Sequence, residues 1–169
     1  VFRKPGAQVF LPSEDEWYKA AYYKGGGTNA GYWRYPTQSD TAPTAEAPAG
    51  TDLVNGSANY FSFSGGYVDS TYYTTEVGAY TTKPSDSAYG TYDQGGNLWE
   101  WNETRKGSYG NFRVLRGGSI SGRGGLDASN PWWFDAMLEG SDLGFRVASI
   151  PEPGSITLLV PITADSTAL

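Results

Sequence analysis

The stretch Tyr92-Asp93-Gln94-Gly95-Gly96-Asn97-Leu98-Trp99-Glu100-Trp101 sets a Gly-Gly turn directly against a short β-prone segment. The same device recurs along the chain. β-prone pieces at Thr75 to Tyr80, Leu98 to Asn102, Arg113 to Arg116 and Gly144 to Ala148 are all short and separated by Gly-rich turns. Short strands of this kind cannot make a large regular sheet, and no tandem repeat stacks them into a solenoid. The expectation is a mixed α+β domain, loop-rich, with few helices.

One helix start is well marked. In Leu11-Pro12-Ser13-Glu14-Asp15-Glu16-Trp17, Ser13 can cap and Glu16 completes a capping box three residues on. Glu14 and Asp15 place negative charge where the helix dipole favours it. Trp17, Ala20 and Ala21 then share one face, and Gly25-Gly26-Gly27 predicts the end. Residues 28–56 carry no period and read as a long ordered loop with turns at Pro36, Pro43 and Pro48. Tyr32, Trp33 and Tyr35 offer too much apolar surface for a flexible linker.

Composition narrows the chemistry. A chain of 169 residues can bury one core. Its net charge is −6 and its Lys and Arg are scattered, which argues against nucleic acid as a partner. No run of about 18 apolar residues is long enough to span a membrane. Cys and His are both absent. This removes disulfides, thiolate nucleophiles, imidazole bases and the commonest transition-metal ligands. Without an imidazole, Ser nucleophiles lack their usual activator. Paired acids could serve glycoside chemistry, but Glu14, Asp15 and Glu16 belong to the helix start.

One stretch of oxygen donors suits a hard cation. From Asp93 to Glu100, carboxylates flank a Gly-rich loop whose carbonyls can turn inward, as calcium requires. The alternative is that Asp93 is a turn residue and Glu100 pairs with an Arg.

From Ile120 to Asp142 the chain is rich in exposed-surface chemistry. It contains Gly122-Arg123-Gly124-Gly125 and then Asn130-Pro131-Trp132-Trp133-Phe134-Asp135-Ala136-Met137. Ser121, Arg123, Trp132, Trp133, Phe134, Asp135 and Met137 are the candidate ligand contacts. Indole and phenyl faces supply rigid contact area at low entropic cost. A strand here would point Trp132 and Phe134 one way and Trp133 the other. Burial of some of these rings in the core is the competing expectation.

Tyr92 to Trp101, then Arg113-Val114-Leu115-Arg116-Gly117-Gly118-Ser119, then Gly144-Phe145-Arg146-Val147 together resemble the formylglycine-generating enzyme (sulfatase-modifying factor) family, a branch of the C-type-lectin-like fold. The helix at Leu11 to Ala21 resembles the family's as well. The resemblance implies a domain over residues 1–150, N-terminally incomplete, since strands and a helix normally precede the motif at Phe10. It implies calcium, one or two ions: one held by the Asp93 and Glu100 side chains with the Gly96 and Leu98 carbonyls, the other by the Asn59 and Asp69 side chains with the Tyr60 and Thr71 carbonyls, for which an Asn/Asp turn pair is the alternative. It implies no copper site, because the family's Cys pair falls at Gly122 and Asp127 here. It places the ligand groove at Ile120 to Asp142, and some relatives diversify this groove through retroelements. Residues 151–169 open with Pro151-Glu152-Pro153 and resemble a degenerate bacterial PEP-type C-terminal sorting signal.

The expected function is non-catalytic recognition of an extracellular protein or carbohydrate on a calcium-stabilised scaffold, at or outside the cell surface. One alternative is an oxidoreductase of the same family with metal ligands outside this stretch. The other is a structural surface protein.

Overall fold

The computed structural model describes residues 3–107 and 111–150. The tail reading at 151–169 lies outside the described residues.

Strand β1 (Val9–Phe10) leads into helix α1 (Glu14–Tyr22). The capping box forms as its residues dictate: Glu16 N–H donates to Ser13 Oγ at 3.2 Å, and Ser13 N–H donates to Glu16 Oε2 at 2.7 Å. The buried face is Trp17, Ala21 and Tyr22. The helix stops at Tyr22, before the three glycines. Tyr23 is already extended and pairs with Tyr32, while the Tyr22 carbonyl accepts the Trp33 N–H at 2.6 Å. Tertiary pairing thus ends the helix one turn before the local breaker would.

Residues 28–56 do form an ordered loop. β2 (Thr44–Ala45) pairs in parallel with β3 (Ser57–Ala58). The Tyr60 hydroxyl donates to the Pro43 carbonyl at 2.6 Å, and Thr37 Oγ1 donates to that of Asn55 at 2.6 Å. Thr75 to Tyr80, expected as a strand, is irregular instead, with one turn at Val77 and Gly78.

The main sheet contains β4 (Trp99–Arg105), β5 (Phe112–Arg116), β6 (Trp132–Asp135) and β7 (Leu143–Phe145), in the order β6-β5-β4-β7. The first two interfaces are antiparallel and the last is parallel. The segment expected as one strand at Gly144 to Ala148 divides. β7 joins this sheet, and β8 (Ala148–Ser149) pairs with β1, so the two ends of the described domain meet. At the break, Arg146 turns its guanidinium onto Glu100.

Among the described residues, two small clusters lie in the core, and Tyr80, Val114 and Leu115 are buried as well. Trp17, Ala21, Tyr22 and Ala128 form one; Tyr35, Ala58, Tyr60 and Leu126 form the other. The Tyr22 hydroxyl joins them by donating to the Leu126 carbonyl at 3.2 Å. Gly125 lies flat under the Trp99 ring, in space that a Cβ would share with the indole.

Candidate functional site

The Gly95-Gly96 turn is a crossing point of backbones. Gly96, at φ 84°, runs beside Asn59 so closely that a Cβ would collide with the Asn59 carbonyl. Asn97 N–H donates to that carbonyl at 2.7 Å. The turn delivers the chain into β4 with Trp99 and Glu100 on opposite faces.

Glu100 is almost fully buried. It accepts from Trp17 Nε1 at 2.6 Å and from Arg146 through both carboxylate oxygens, with the second contact at 2.6 Å. Arg146 also donates to the Tyr92 carbonyl at 3.2 Å. Asp93, at φ 56°, accepts the Gly78 N–H on Oδ2 at 2.6 Å. Burial pushes its carboxyl above the ordinary range, against the opposing pull of that N–H and of Arg146. Within the set Asp93, Gly96, Leu98 and Glu100, it is Glu100 that is ion-paired, to Arg146, while Asp93 is held by a backbone N–H. Both Glu100 oxygens already accept from these donors, so a cation at this set would compete with Arg146 for the carboxylate.

The second set is organised around one turn. Asp69 Oδ1 accepts the N–H groups of Thr71 and Tyr72 at 2.7 and 2.9 Å. Asn59 Nδ2 donates to the Tyr73 carbonyl at 2.8 Å and to Asn97 Oδ1 at 3.2 Å. Asn59 and Asp69 therefore bracket the same loop, from Asp69 to Tyr73. Tyr60 is buried beside them, with its hydroxyl on Pro43. Among the described residues, no group of three or more His, Cys, Asp or Glu gathers at one point.

A cavity of about 400 Å³ opens over the far face of the sheet. Trp99, Trp132 and Phe134 form an aromatic wall. The Trp132 ring lies 5.8 Å from Trp99 and 6.1 Å from Phe134, centroid to centroid. Leu138 and Leu143 continue the apolar surface, and Ser119, Ser121, Glu139 and Asp142 supply polar edges. Asp142 is fixed by its backbone, because Trp99 N–H donates to its carbonyl at 2.8 Å. Both serine hydroxyls donate to its Oδ2, at 2.8 Å from Ser119 and 2.9 Å from Ser121.

Of the expected ligand contacts, Ser121, Trp132 and Phe134 meet in this cavity. Trp133 does not line it; Lys106 covers the Trp133 ring at 4.4 Å. Trp132 and Trp133 are each nearly half exposed, so neither is a core residue. Arg123 lines a separate hollow with Tyr60, Phe61 and Phe63. Asp135 accepts the Met137 N–H at 3.0 Å, and Met137 projects into solvent. Glu139 and Asp142 fall within the expected surface of Ile120 to Asp142, though not among its seven named contacts, and Trp99 lies outside it. Asp142 had a signal, since it sits two residues before Gly144-Phe145-Arg146. Trp99 reads in sequence only as part of a strand motif.

Gly122 lines the cavity, whereas Asp127 lies outside it. The Asp127 carboxylate takes Arg34 Nε at 2.6 Å and the Ser129 N–H at 2.9 Å. Arg116, like Arg146, ties elements together, reaching Glu14 and the Ala128 carbonyl.

The model of the sulfatase-modifying factor enzyme 1-like domain matches residues 5–150. Among solved structures, CarF is similar at 27% identity and a TM-score of 0.59, over 88% of this chain and 51% of CarF. Treponema denticola variable protein 1 is similar at 26% identity and 0.56, over 88% and 50%. PvdO from Pseudomonas aeruginosa, at 18% and 0.51 over 82% and 51%, shares the fold. The chain thus spans about half the length of each. No curated protein matches it.

Proposed function

We propose, for a chain that belongs to the sulfatase-modifying factor enzyme 1-like domain family, that its work is ligand recognition without catalysis. The observation that carries this reading is the cavity. Its rings are carried by β4 and β6 and its serine hydroxyls are tied to Asp142, yet the place of the family's first Cys is Gly122 and no thiol or imidazole exists in the sequence. Such a surface can hold a ligand by stacking and hydrogen bonding, but it offers no activated nucleophile and no soft metal ligand.

The ligand class is an extracellular protein or carbohydrate, and the setting is the cell surface or beyond. Among the described residues no helix is long and apolar enough to cross a membrane. Similarity to a protein named as variable supports a groove whose residues differ between copies. A near-identical template repeat beside the gene would support diversification, and its absence from the complete locus would remove that part of the reading.

Calcium belongs to the proposal at Asn59, Tyr60, Asp69 and Thr71, which share one loop. At Asp93, Gly96, Leu98 and Glu100 it would require Arg146 to release Glu100. A calcium-dependent rise in melting temperature, lost in Asp69→Ala, assigns the ion to the loop. No rise in the unmutated protein removes calcium from both.

The direct test is a binding screen of glycans and extracellular proteins with the unmutated protein and Trp132→Ala. Saturable binding that drops about tenfold or more in the variant is expected, since a buried ring contact at an interface centre carries about 2 kcal/mol. A panel with no saturable ligand overturns the reading.

A further inference from the structure

We infer that the groove over Trp99, Trp132 and Phe134 receives a positively charged side chain, that of a lysine or arginine presented by a partner protein. The inference rests on the recognition reading above and specifies its ligand.

Charge comes first. The groove carries two carboxylates, Asp142 and Glu139, and no Lys or Arg lines it. Asp142 is held by the two serine hydroxyls on one oxygen, Oδ2, and no guanidinium or ammonium among the described residues pairs with it. The carboxylate is thus oriented by neutral donors and keeps its charge complement for something outside the chain.

The rings point the same way. Elsewhere in the molecule a Lys or Arg sits over the face of Phe10, Tyr18, Tyr23, Trp33, Tyr35 or Trp133. The three groove rings have no such partner among the described residues. An aromatic wall beside an unpaired carboxylate attracts a cation twice, through the ring quadrupole and through Coulomb attraction. Indole is the best ring for this, and two of the three are indoles.

Shape selects the source. β6 is the outer strand of the sheet, so one of its edges is unpaired. A second cavity, about 420 Å³, adjoins the first and shares Trp132 and Phe134 with it, adding Asn130, Pro131 and Trp133. Two connected hollows along an open strand suit an extended polypeptide better than a lone small amine. The first hollow takes the charged side chain, and the second takes its neighbours.

The test uses the whole chain and three peptides: Gly-Gly-Ser-Arg-Ser-Gly-Gly, its lysine counterpart and its citrulline counterpart. Citrulline keeps the shape of arginine and removes the charge. Binding of the arginine and lysine peptides is expected, with the citrulline peptide about tenfold weaker or worse. Rising salt is expected to weaken the charged pair selectively. Asp142→Asn keeps an acceptor for both serines, so the fold persists, and it is expected to cost about tenfold or more in affinity. Glu139→Gln, on an exposed side chain, gives a smaller loss. Equal binding of arginine and citrulline peptides, no binding of either basic peptide, or an Asp142→Asn protein with unchanged affinity overturns the inference. A neutral glycan whose binding needs Trp132 but ignores Asp142 overturns it too, while leaving the groove as the recognition site. If no ligand of any class depends on Trp132, the recognition reading itself falls.

Discussion

Glu100 joins two elements through one carboxylate. The Trp17 indole comes from the helix, and the Arg146 guanidinium comes from the break between β7 and β8. The carboxylate side chain is only 11% exposed and that of Arg146 24%, so neither charge can be rehydrated cheaply if the other is removed. Glu100→Gln is expected to destabilise the domain by about 3 kcal/mol in a denaturant melt. A loss under about 1 kcal/mol would mean that the pair is solvated in solution. Asp93 has the opposite character. Its raised carboxyl pKa means that burial penalises the charged form in the fold. The penalty is complete above the folded-state pKa and is relieved as pH falls through it. Asp93→Asn keeps an oxygen for the Gly78 N–H and suits the positive φ. In chelator at neutral pH it is expected to raise the melting temperature. A fall instead would show that the carboxylate's charge serves the fold, through Arg146 or an ion.

At the scale of elements, α1 is the most local structure in the molecule. Its cap, its acidic first turn and its buried face all follow from the contiguous residues Ser13 to Tyr22. Ser13→Ala removes the acceptor for Glu16 N–H and is expected to cost about 1 kcal/mol. Chemical denaturation checks this, and an unchanged midpoint would mean that packing of Trp17 alone holds the helix end. β6 shows a different dependence. Its alternation is legible in sequence, but which side is groove follows from register: Val114 faces Trp133, and Leu115 faces Trp132. Thr75 to Tyr80 has strand-like residues and is still irregular, because the sequence-distant Asn97 receives its backbone. The Thr75 N–H donates to Asn97 Oδ1, and Asn97 Nδ2 donates to the Thr75 carbonyl. A side chain can replace a neighbouring strand as the partner of a backbone, and nothing local to residues 75–80 reveals it.

Across the whole molecule, regular structure is scarce and side-chain hydrogen bonds hold the loops. Glu46 illustrates this. Burial alone would push its carboxyl up, but the hydroxyl of Ser57, the N–H and hydroxyl of Thr51 and the N–H of Asp52 bring it down to about 2. Backbone N–H groups of Asn55 and Val54, with the Thr44 hydroxyl, bring Asp52 to about 2 as well, against a smaller opposing push from burial. A depressed carboxyl stabilises the fold above its unfolded value, near 4.5 for Glu and 3.8 for Asp, and the contribution fades as pH falls toward 2. The melting temperature is therefore expected to drop between about pH 4.5 and 2, and Glu46→Gln to flatten that slope. An equal slope in the variant would place the acid sensitivity elsewhere.

The sequence by itself determined the α+β class, the helix capped at Ser13, the family and the absence of Cys and His. Each rests on residue identity or on neighbours a few positions apart. Only the tertiary structure decided that Glu100 pairs with Arg146, that Ser121, Trp132 and Phe134 converge while Arg123, Asp135 and Met137 do not, and that Trp99 and Asp142 complete the groove. These outcomes depend on which backbones cross at Gly96 and which strands pair. Such crossings join residues dozens of positions apart through shape and hydrogen bonds that no local pattern encodes.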